Sequence, residues 1–528
     1  MQFHDCACGG LRYGLRMQKL LARLNDLRGW RGKLACFAAG ALTTLAFAPF
    51  HAWPVLLVTI SFLFLMLDKA RHWRSGALYA LAYGYGYCMA GTYWIANSLL
   101  VDAHQFGWLV PFCVLGLSLV MALWFALFGA LYRLARGPLL WVNVVRFAIL
   151  WTAVEYARSV GAFGFPWNLI GSAVLGDIHV AQLDALVGPF GTGFFVMLLA
   201  LTPIFWLKPE ASRILRRGTA IAALLAVGAA YGYGYLHIPP AAALGDTRVR
   251  IVQANIAQSF KWTPEGRMEA ASLYAGMSHI TNNGPIPPIH LWPETAVPYT
   301  FRAGTQLPQQ ISTVLPPGGL LLTGAMRSEG EYADYHLYNS IVAIDRNGEW
   351  LGSYDKHQLV PFGEFVPLRS VLPIEKITHG NIDFSAGAAH QPFELKNAPP
   401  VRPLICYEVI FPWAARSEPR AAWLFNATND AWYGQSTGPH QHLDAARMRA
   451  IEQGLPLARA ANTGISAMID PYGRLIQMLP LDSRGIIDQP LPKPLPPTPY
   501  ARWGELLSLL MLTFGLTVTQ LSLSQARK

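Results

Sequence analysis

The chain has 528 residues, 53% of them hydrophobic and 14% charged, with a formal net charge of +10. An ordinary soluble protein is roughly a quarter charged, so this composition argues against a wholly soluble protein, and it excludes a disordered chain, a collagen-like repeat or a disulfide scaffold. The basic excess sits in the first half alone: Met1–Gly245 holds 18 Lys and Arg against 8 Asp and Glu, and Asp246–Lys528 holds 23 of each. Long apolar runs occupy that same half, so a basic groove would have to be built from lipid-seeking segments, and no nucleic-acid partner is expected.

A basic tail over residues 1–33 precedes seven apolar runs that, with flanking residues, could cross a bilayer. They are Leu34–Phe50, Val55–Leu67, Gly76–Leu99, Trp108–Leu131, Leu139–Tyr156, Gly188–Leu207 and Thr219–Leu236, a predicted transmembrane region over 34–238. An eighth run, Gly504–Leu523, lies near the end of the chain. Lys and Arg cluster in alternate loops, whereas Ala48–Pro54, Leu100–Gly107 and Ser159–Val187 contain none. By the positive-inside rule both termini are cytoplasmic and the segment after Leu236 lies on the opposite face. The repeats Tyr83–Tyr87 and Tyr231–Tyr235, alternating with Gly, read as small residues that allow close helix contact. Glu155 and Arg158, one turn apart, are expected to face each other or the protein interior. Few other acidic residues lie in the spans, which disfavours a transporter.

From Asp246 the texture changes to short apolar runs separated by turns. Arg248–Asn255, Ile289–Trp292, Gly319–Gly324, Asn339–Asp345, Arg402–Tyr407, Ala422–Ala427 and Ile465–Asp470 read as strands of a buried sheet. Helices are predicted at about Glu265–Asn282 and Leu443–Gly454, the second with Arg and Glu for an exposed face. This is an α/β domain over 246–490, followed by a Pro-rich linker over 491–503, centred on Pro490–Pro499, and the last helix over 504–523. Cys6 and Cys8 lie in the tail and Cys36, Cys88 and Cys113 in or beside the spans. Cys406 is alone in the domain, so it is either a buried small residue or a working thiol. No His/Cys set with ligand spacing and no nucleotide loop appear, so neither metal nor cofactor is expected.

Three clusters carry polar groups that a strand core does not tolerate without reason: Trp292-Pro293-Glu294, the run from Tyr354 through Lys356 to Glu364 and Pro367, and Ile405-Cys406-Tyr407-Glu408. A carboxylate, an ammonium and a thiol at strand ends can converge at the carboxyl edge of a sheet. There the carboxylate can take the thiol proton, the ammonium can stabilise a thiolate and an oxyanion, and the thiolate can attack an acyl carbon. The aromatic loops Phe411-Pro412-Trp413 and Trp432-Tyr433 fit either a membrane interface or a core.

In their order and spacing these clusters resemble the nitrilase superfamily of Glu-Lys-Cys enzymes. With helices before the domain and one after it, the chain is similar to a membrane-embedded branch, the apolipoprotein N-acyltransferase family. Gly164–Asn168, Gln253–Asn255 with Trp262, and Asn429–Gly434 add to the likeness, and an N-terminal extension of about 30 residues departs from it. The resemblance implies an αββα sandwich joined to a polytopic helical membrane region of about eight helices. It implies Glu294 as general base, Lys356 as electrostatic stabiliser and Cys406 as nucleophile, with Glu364, Glu408 and Tyr407 in support. Trp262, Asn339 and Trp432 are weaker substrate-binding candidates, for which plain packing is nearly as good an account. The implied reaction has two steps and no cofactor: Cys406 takes an acyl chain from a phosphatidylethanolamine-like phospholipid, and the α-amine of a diacylglyceryl apolipoprotein accepts it. The implied setting is a monomer among the lipids of a bacterial inner membrane, with the catalytic domain in the periplasm. The rival reading is a membrane-tethered amidase acting on a small soluble substrate.

Overall fold

A computed structural model of the protein describes residues 26–161, 163–281, 284–302, 304–331, 334–367, 369, 376–377, 380, 382–388, 392–395 and 398–527. Most of the basic tail, with Cys6 and Cys8, and the expected helix end at Asn282 lie outside them. Among the described residues, seven helices of 14 residues or more precede the α/β domain: α1 (Gly29–Thr43), α2 (Val55–Asp68), α3 (Trp73–Thr92), α4 (Ser118–Ala135), α5 (Leu140–Ser159), α6 (Leu183–Ala200) and α7 (Arg213–His237). Helix α4 continues backwards through irregular turns to Ala103, including a π-helical stretch at Cys113–Leu117.

Glycines set the closest contacts of this region. A Cβ at Gly40 would fall 1.8 Å from the Tyr83 carbonyl, and one at Gly86 would fall 2.0 Å from that of Phe37, so α1 and α3 touch backbone to backbone. The first Tyr-Gly repeat is therefore a packing seam. Of the two glycines in the second, Gly234 alone meets a neighbour, the carbonyl of His179, while Tyr231 and Tyr235 are exposed. Asp68 pairs with both Arg136 and Lys208, which brings three charged helix ends to one face. Glu155 and Arg158 are buried and 3.5 Å apart, directed inwards.

The domain contains two six-stranded sheets, ordered β12-β1-β2-β3-β4-β5 and β11-β10-β9-β8-β7-β6. In the first, β1 (Leu244–Gln253), β2 (Ile289–Phe301) and β3 (Leu320–Glu329) are parallel, with β4 (His336–Asp345) and β5 (Trp350–Asp355) antiparallel beyond them. In the second, β7 (Ala398–Ile405), β8 (Trp423–Thr428) and β9 (Leu457–Ala461) are parallel, flanked by β6 (Phe393–Leu395), β10 (Ser466–Ile469) and β11 (Leu475–Leu479). Parallel strands are covered on both faces, which is why their sequences are near-continuous apolar runs. Val249, Ile251, Leu291, Leu322, Val401, Phe425 and Met468 fill the space between the sheets. Helix α8 (Pro264–Ser278) covers the outer face of the first sheet through Ala270, Tyr274 and Met277, and α9 (Gly438–Gln453) covers the second through Leu443, Ala446 and Ala450. The layering is the expected αββα.

Several local features differ from the sequence reading. Strand β2 does not end before Glu294 but runs on to Phe301, with its register broken between Trp292 and Val297. Strands β6, β9 and β12 (Gly485–Pro492) have no counterpart in the sequence reading, while β5 and β11 follow the hairpin-turn sequences Asp345–Gly348 and Asp470–Arg474. Within the Pro-rich segment, Pro490 and Pro492 pair with β1 on the sheet's outermost strand, where a missing N–H is tolerated. A short helix follows at Pro499–Trp503, then α10 (Leu506–Arg527). Helix α9 has no exposed charged face: Arg449 and Glu452 are buried and paired, because Met448 and Ile451 join the core of the membrane helices. Phe411 and Tyr433 are likewise core residues.

A helix forms in each of the eight apolar runs, but among the described residues only five helical stretches are long and apolar enough to cross a membrane: Ala103–Ala135, Leu140–Ser159, Leu183–Leu207, Arg213–His237 and Leu506–Gln525. The count of eight is not reached, because α1 and α2 have 15 and 14 residues and α3 is rich in Gly and Tyr.

Candidate active site

Two strand ends and a break within a third strand deliver the site. Glu294 lies at the break in β2, Lys356 follows the last residue of β5, and Cys406 follows the last residue of β7. Each stands where the chain leaves a regular ladder, and all three side chains line one cavity. Cys406 has φ +47°, Thr295 +47° and Phe362 +62°, all in the left-handed region that costs a non-glycine residue about 1–2 kcal/mol. The surrounding contacts hold that strain in place.

Lys356 is 1% exposed, and its Nζ lies 2.9 Å from Glu364 Oε1 and 3.8 Å from Glu294 Oε1. Asn339 Nδ2 donates to both carboxylates, at 2.7 Å to Glu294 and 2.8 Å to Glu364, and its carbonyl accepts from the Lys356 N–H at 2.8 Å. Glu364 also accepts from the Val360 N–H, which fixes the loop that carries it. The Cys406 thiol and the Glu294 carboxylate act on one another electrostatically. Glu408 does not touch the lysine side chain. It accepts from the Tyr354 hydroxyl, the N–H groups of His357 and Gln358, and the Ile405 N–H, thereby tying the lysine loop to the cysteine turn.

These contacts set the charges. Burial pushes the Cys406 thiol up to about 12, with Glu294 adding to the rise and Lys356 opposing it, so the resting thiol keeps its proton. Burial also raises Glu294, only partly offset by Lys356, and makes it a better base than a free carboxylate. Burial alone would lower Lys356, but Glu364 and Glu294 outweigh it and hold the ammonium charged.

The site opens into a cavity of about 1260 Å³. Eight of the nine residues singled out in sequence line it: Glu294, Lys356, Cys406, Glu364, Tyr407, Trp262, Asn339 and Trp432; Glu408 lies behind the wall. The opposite wall comes from the membrane region, with Trp108, Leu117, Val120, Met121 and Trp124 of the helix ending in α4. Tyr407 joins the two regions, its hydroxyl donating to the Gly164 carbonyl at 2.8 Å while Phe165 stacks on its ring. No group of three or more potential metal ligands occurs among the described residues.

Sequence reading missed a buried polar network behind the cysteine. His442 Nε2 is 3.1 Å from the Cys406 carbonyl and Nδ1 is 2.9 Å from Asp430, which Arg459 and Thr428 also hold. Asp430 belonged to a noted motif, but His442 lay one residue before the predicted start of its helix. Lys261 was also missed, although it adjoins Trp262; it is 1% exposed and lines the cavity.

Two family models match the chain: residues 39–202 match the apolipoprotein N-acyltransferase N-terminal domain, and residues 248–493 match carbon-nitrogen hydrolase. Relatives named apolipoprotein N-acyltransferase include one from Rhodopseudomonas palustris, 38% identical over 90% of this chain and 92% of its own. Those from Bradyrhizobium diazoefficiens and Caulobacter vibrioides are 37% identical over 95% and 96%, and 36% identical over 92% and 93%, respectively. Among solved structures, a nitrilase-superfamily member from Saccharomyces cerevisiae aligns at 15% identity over 50% of this chain and 93% of its own, with a TM-score of 0.37. A nitrilase-superfamily amidase from Nesterenkonia aligns at 19% identity over 50% and 95%, with a TM-score of 0.35.

Proposed function

The chain belongs to the apolipoprotein N-acyltransferase family, a bacterial membrane enzyme family of lipoprotein N-acylation, and from that premise we propose how its residues carry out the transfer. Glu294 takes the Cys406 proton as sulfur attacks the ester carbon of a phospholipid. The Lys356 ammonium offsets the charge that develops on sulfur and on the carbonyl oxygen. Collapse of the tetrahedral species expels the lysophospholipid alkoxide, which takes the proton back from Glu294 and leaves a thioester on Cys406. The α-amine of a diacylglyceryl-cysteine then attacks, Glu294 takes the amine proton, and the departing thiolate recovers it.

One observation carries this reading: the thiol, carboxylate and ammonium face a cavity whose far wall is apolar and contributed by membrane helices. Extracting an acyl chain into water would cost about 0.8 kcal/mol per CH₂, which a site opening onto lipid avoids. The same wall gives a small soluble amide nothing to bind, so the amidase reading is not favoured. Alternation of basic and neutral loops, and the pairing of Asp68 with Arg136 and Lys208 on one face, support a cytoplasmic basic side and a periplasmic domain in the inner membrane.

The test is mass spectrometry of the purified protein incubated with phosphatidylethanolamine. A fatty acyl adduct on Cys406 is expected, and Cys406→Ala should abolish both the adduct and N-acylation. Normal N-acylation by the Cys406→Ala enzyme would sink the mechanism.

A further inference from the structure

Lys261 ends the short helix Gln258–Lys261 on the cavity wall. Its Nζ makes one hydrogen bond among the described residues, to the Glu294 carbonyl at 3.4 Å, and no ion pair. An ammonium has three donors, and a buried one requires acceptors or a counter-charge. The other two cations lining the cavity have theirs. Lys356 is held by Glu364 and Glu294, and Arg158 donates to the carbonyls of Phe165 and Trp167 and pairs with Glu155. Among the described residues, Lys261 is the one cation on the cavity wall without a carboxylate in ion-pair contact.

We propose that Lys261 binds the phosphodiester of the acyl-donor lipid and thereby selects a phospholipid over an uncharged acyl ester. This inference rests on the phospholipid-donor reading above. Lys261 touches the backbone of Glu294 and lines the same cavity as the Glu294 carboxylate and the Cys406 thiol, so its ammonium stands beside the groups that would meet the ester. In a glycerophospholipid the phosphate follows the esterified glycerol by a short reach, and it is the only anion the donor must carry. The acceptor's amine would be repelled, so this position serves the first half-reaction. Burial lowers Lys261 to about 8 despite the neighbouring Glu294, and a bound phosphate would restore its full charge.

The experiment measures thioester formation on Cys406 of the full chain in detergent micelles, with dioleoylphosphatidylethanolamine or dioleoylglycerol as donor. The wild-type protein is expected to use the phospholipid at least about tenfold faster, one charge-assisted hydrogen bond being worth roughly a ten- to hundredfold preference. Lys261→Met should cut that ratio by about the same factor, and Lys261→Arg should keep most of it. A Lys261→Met protein that slows both donors equally overturns the inference and makes Lys261 a general support of Glu294. A wild-type ratio near one overturns it without any variant. Inorganic phosphate should not change the dioleoylglycerol rate; a Lys261-dependent change would reassign the position to free phosphate and overturn the donor assignment. If the wild type forms a thioester from dioleoylglycerol but none from phospholipid, the donor reading itself falls. If phospholipid acylates wild type and Lys261→Met with the same preference, only this inference falls.

Discussion

Helices α8 and α9 cover the two outer faces of one sandwich, over sheets of matching parallel order, yet they are treated differently by what surrounds them. Helix α8 buries Gly266, Ala270, Tyr274 and Met277 along a single stripe and leaves Met268 and Glu269 exposed. Helix α9 buries thirteen of its sixteen residues, among them Arg449 and Glu452. One helix has water on its far side and the other has membrane helices. The charged residues that would mark a solvated face on α8 become, on α9, internal pairs of an interface between two regions.

Arg449→Met tests this contrast hardest. It strands a fully buried Glu452 without its partner and should cost about 3–5 kcal/mol. Glu269→Gln on α8 should stay within about 0.5 kcal/mol. Thermal unfolding midpoints in detergent decide the matter, and equal midpoints would break the comparison. A middle-sized effect is expected from Asp430, which α9 engages through His442. Burial alone would raise its carboxyl, but Arg459 and His442 bring it down to about 2 from 3.8. A folded value below the unfolded one means that the contribution, about 2 kcal/mol, is complete above roughly pH 4 and is lost as pH falls towards 2. Asp430→Asn should therefore be less stable than wild type at neutral pH and show a shallower loss of stability between about pH 4 and 2, read as denaturation midpoints. A smaller effect than that of Asp430 belongs to Tyr407→Phe, which removes the donor to Gly164 on the membrane-facing side. A loss of about 1 kcal/mol is expected, with slower N-acylation.

What the sequence made legible follows from the range of the forces involved. Parallel strands buried on both faces announce themselves as apolar runs, and β1, β2, β3, β7 and β8 were found that way. Strand β6 is three residues long and takes its identity from a neighbour, which no local pattern reports. The Glu294, Lys356 and Cys406 clusters stood out because each breaks an apolar run with a polar group. His442 and Lys261 did not, since each looks like an ordinary helical residue until three other segments fold around it. The same blindness misread α9: Arg and Glu three residues apart signal solvent unless a second region arrives to bury them.

The paired strands β1 and β12 have a mechanical consequence. The chain enters the sandwich from α7 and leaves towards α10 on these two neighbours, with Leu244 opposite Pro492 and the Lys493 N–H bonded to the Ala243 carbonyl. Two tethers side by side make a strap, and a strap fixes a line while leaving a swing about it. The angle of swing is therefore set where α9 seats against the helices through Met448 and Ile451. Fit between the Cys406 thiol and the apolar wall is governed by that seat, so loosening it would keep Glu294, Lys356 and Cys406 together and aim them at the wrong place.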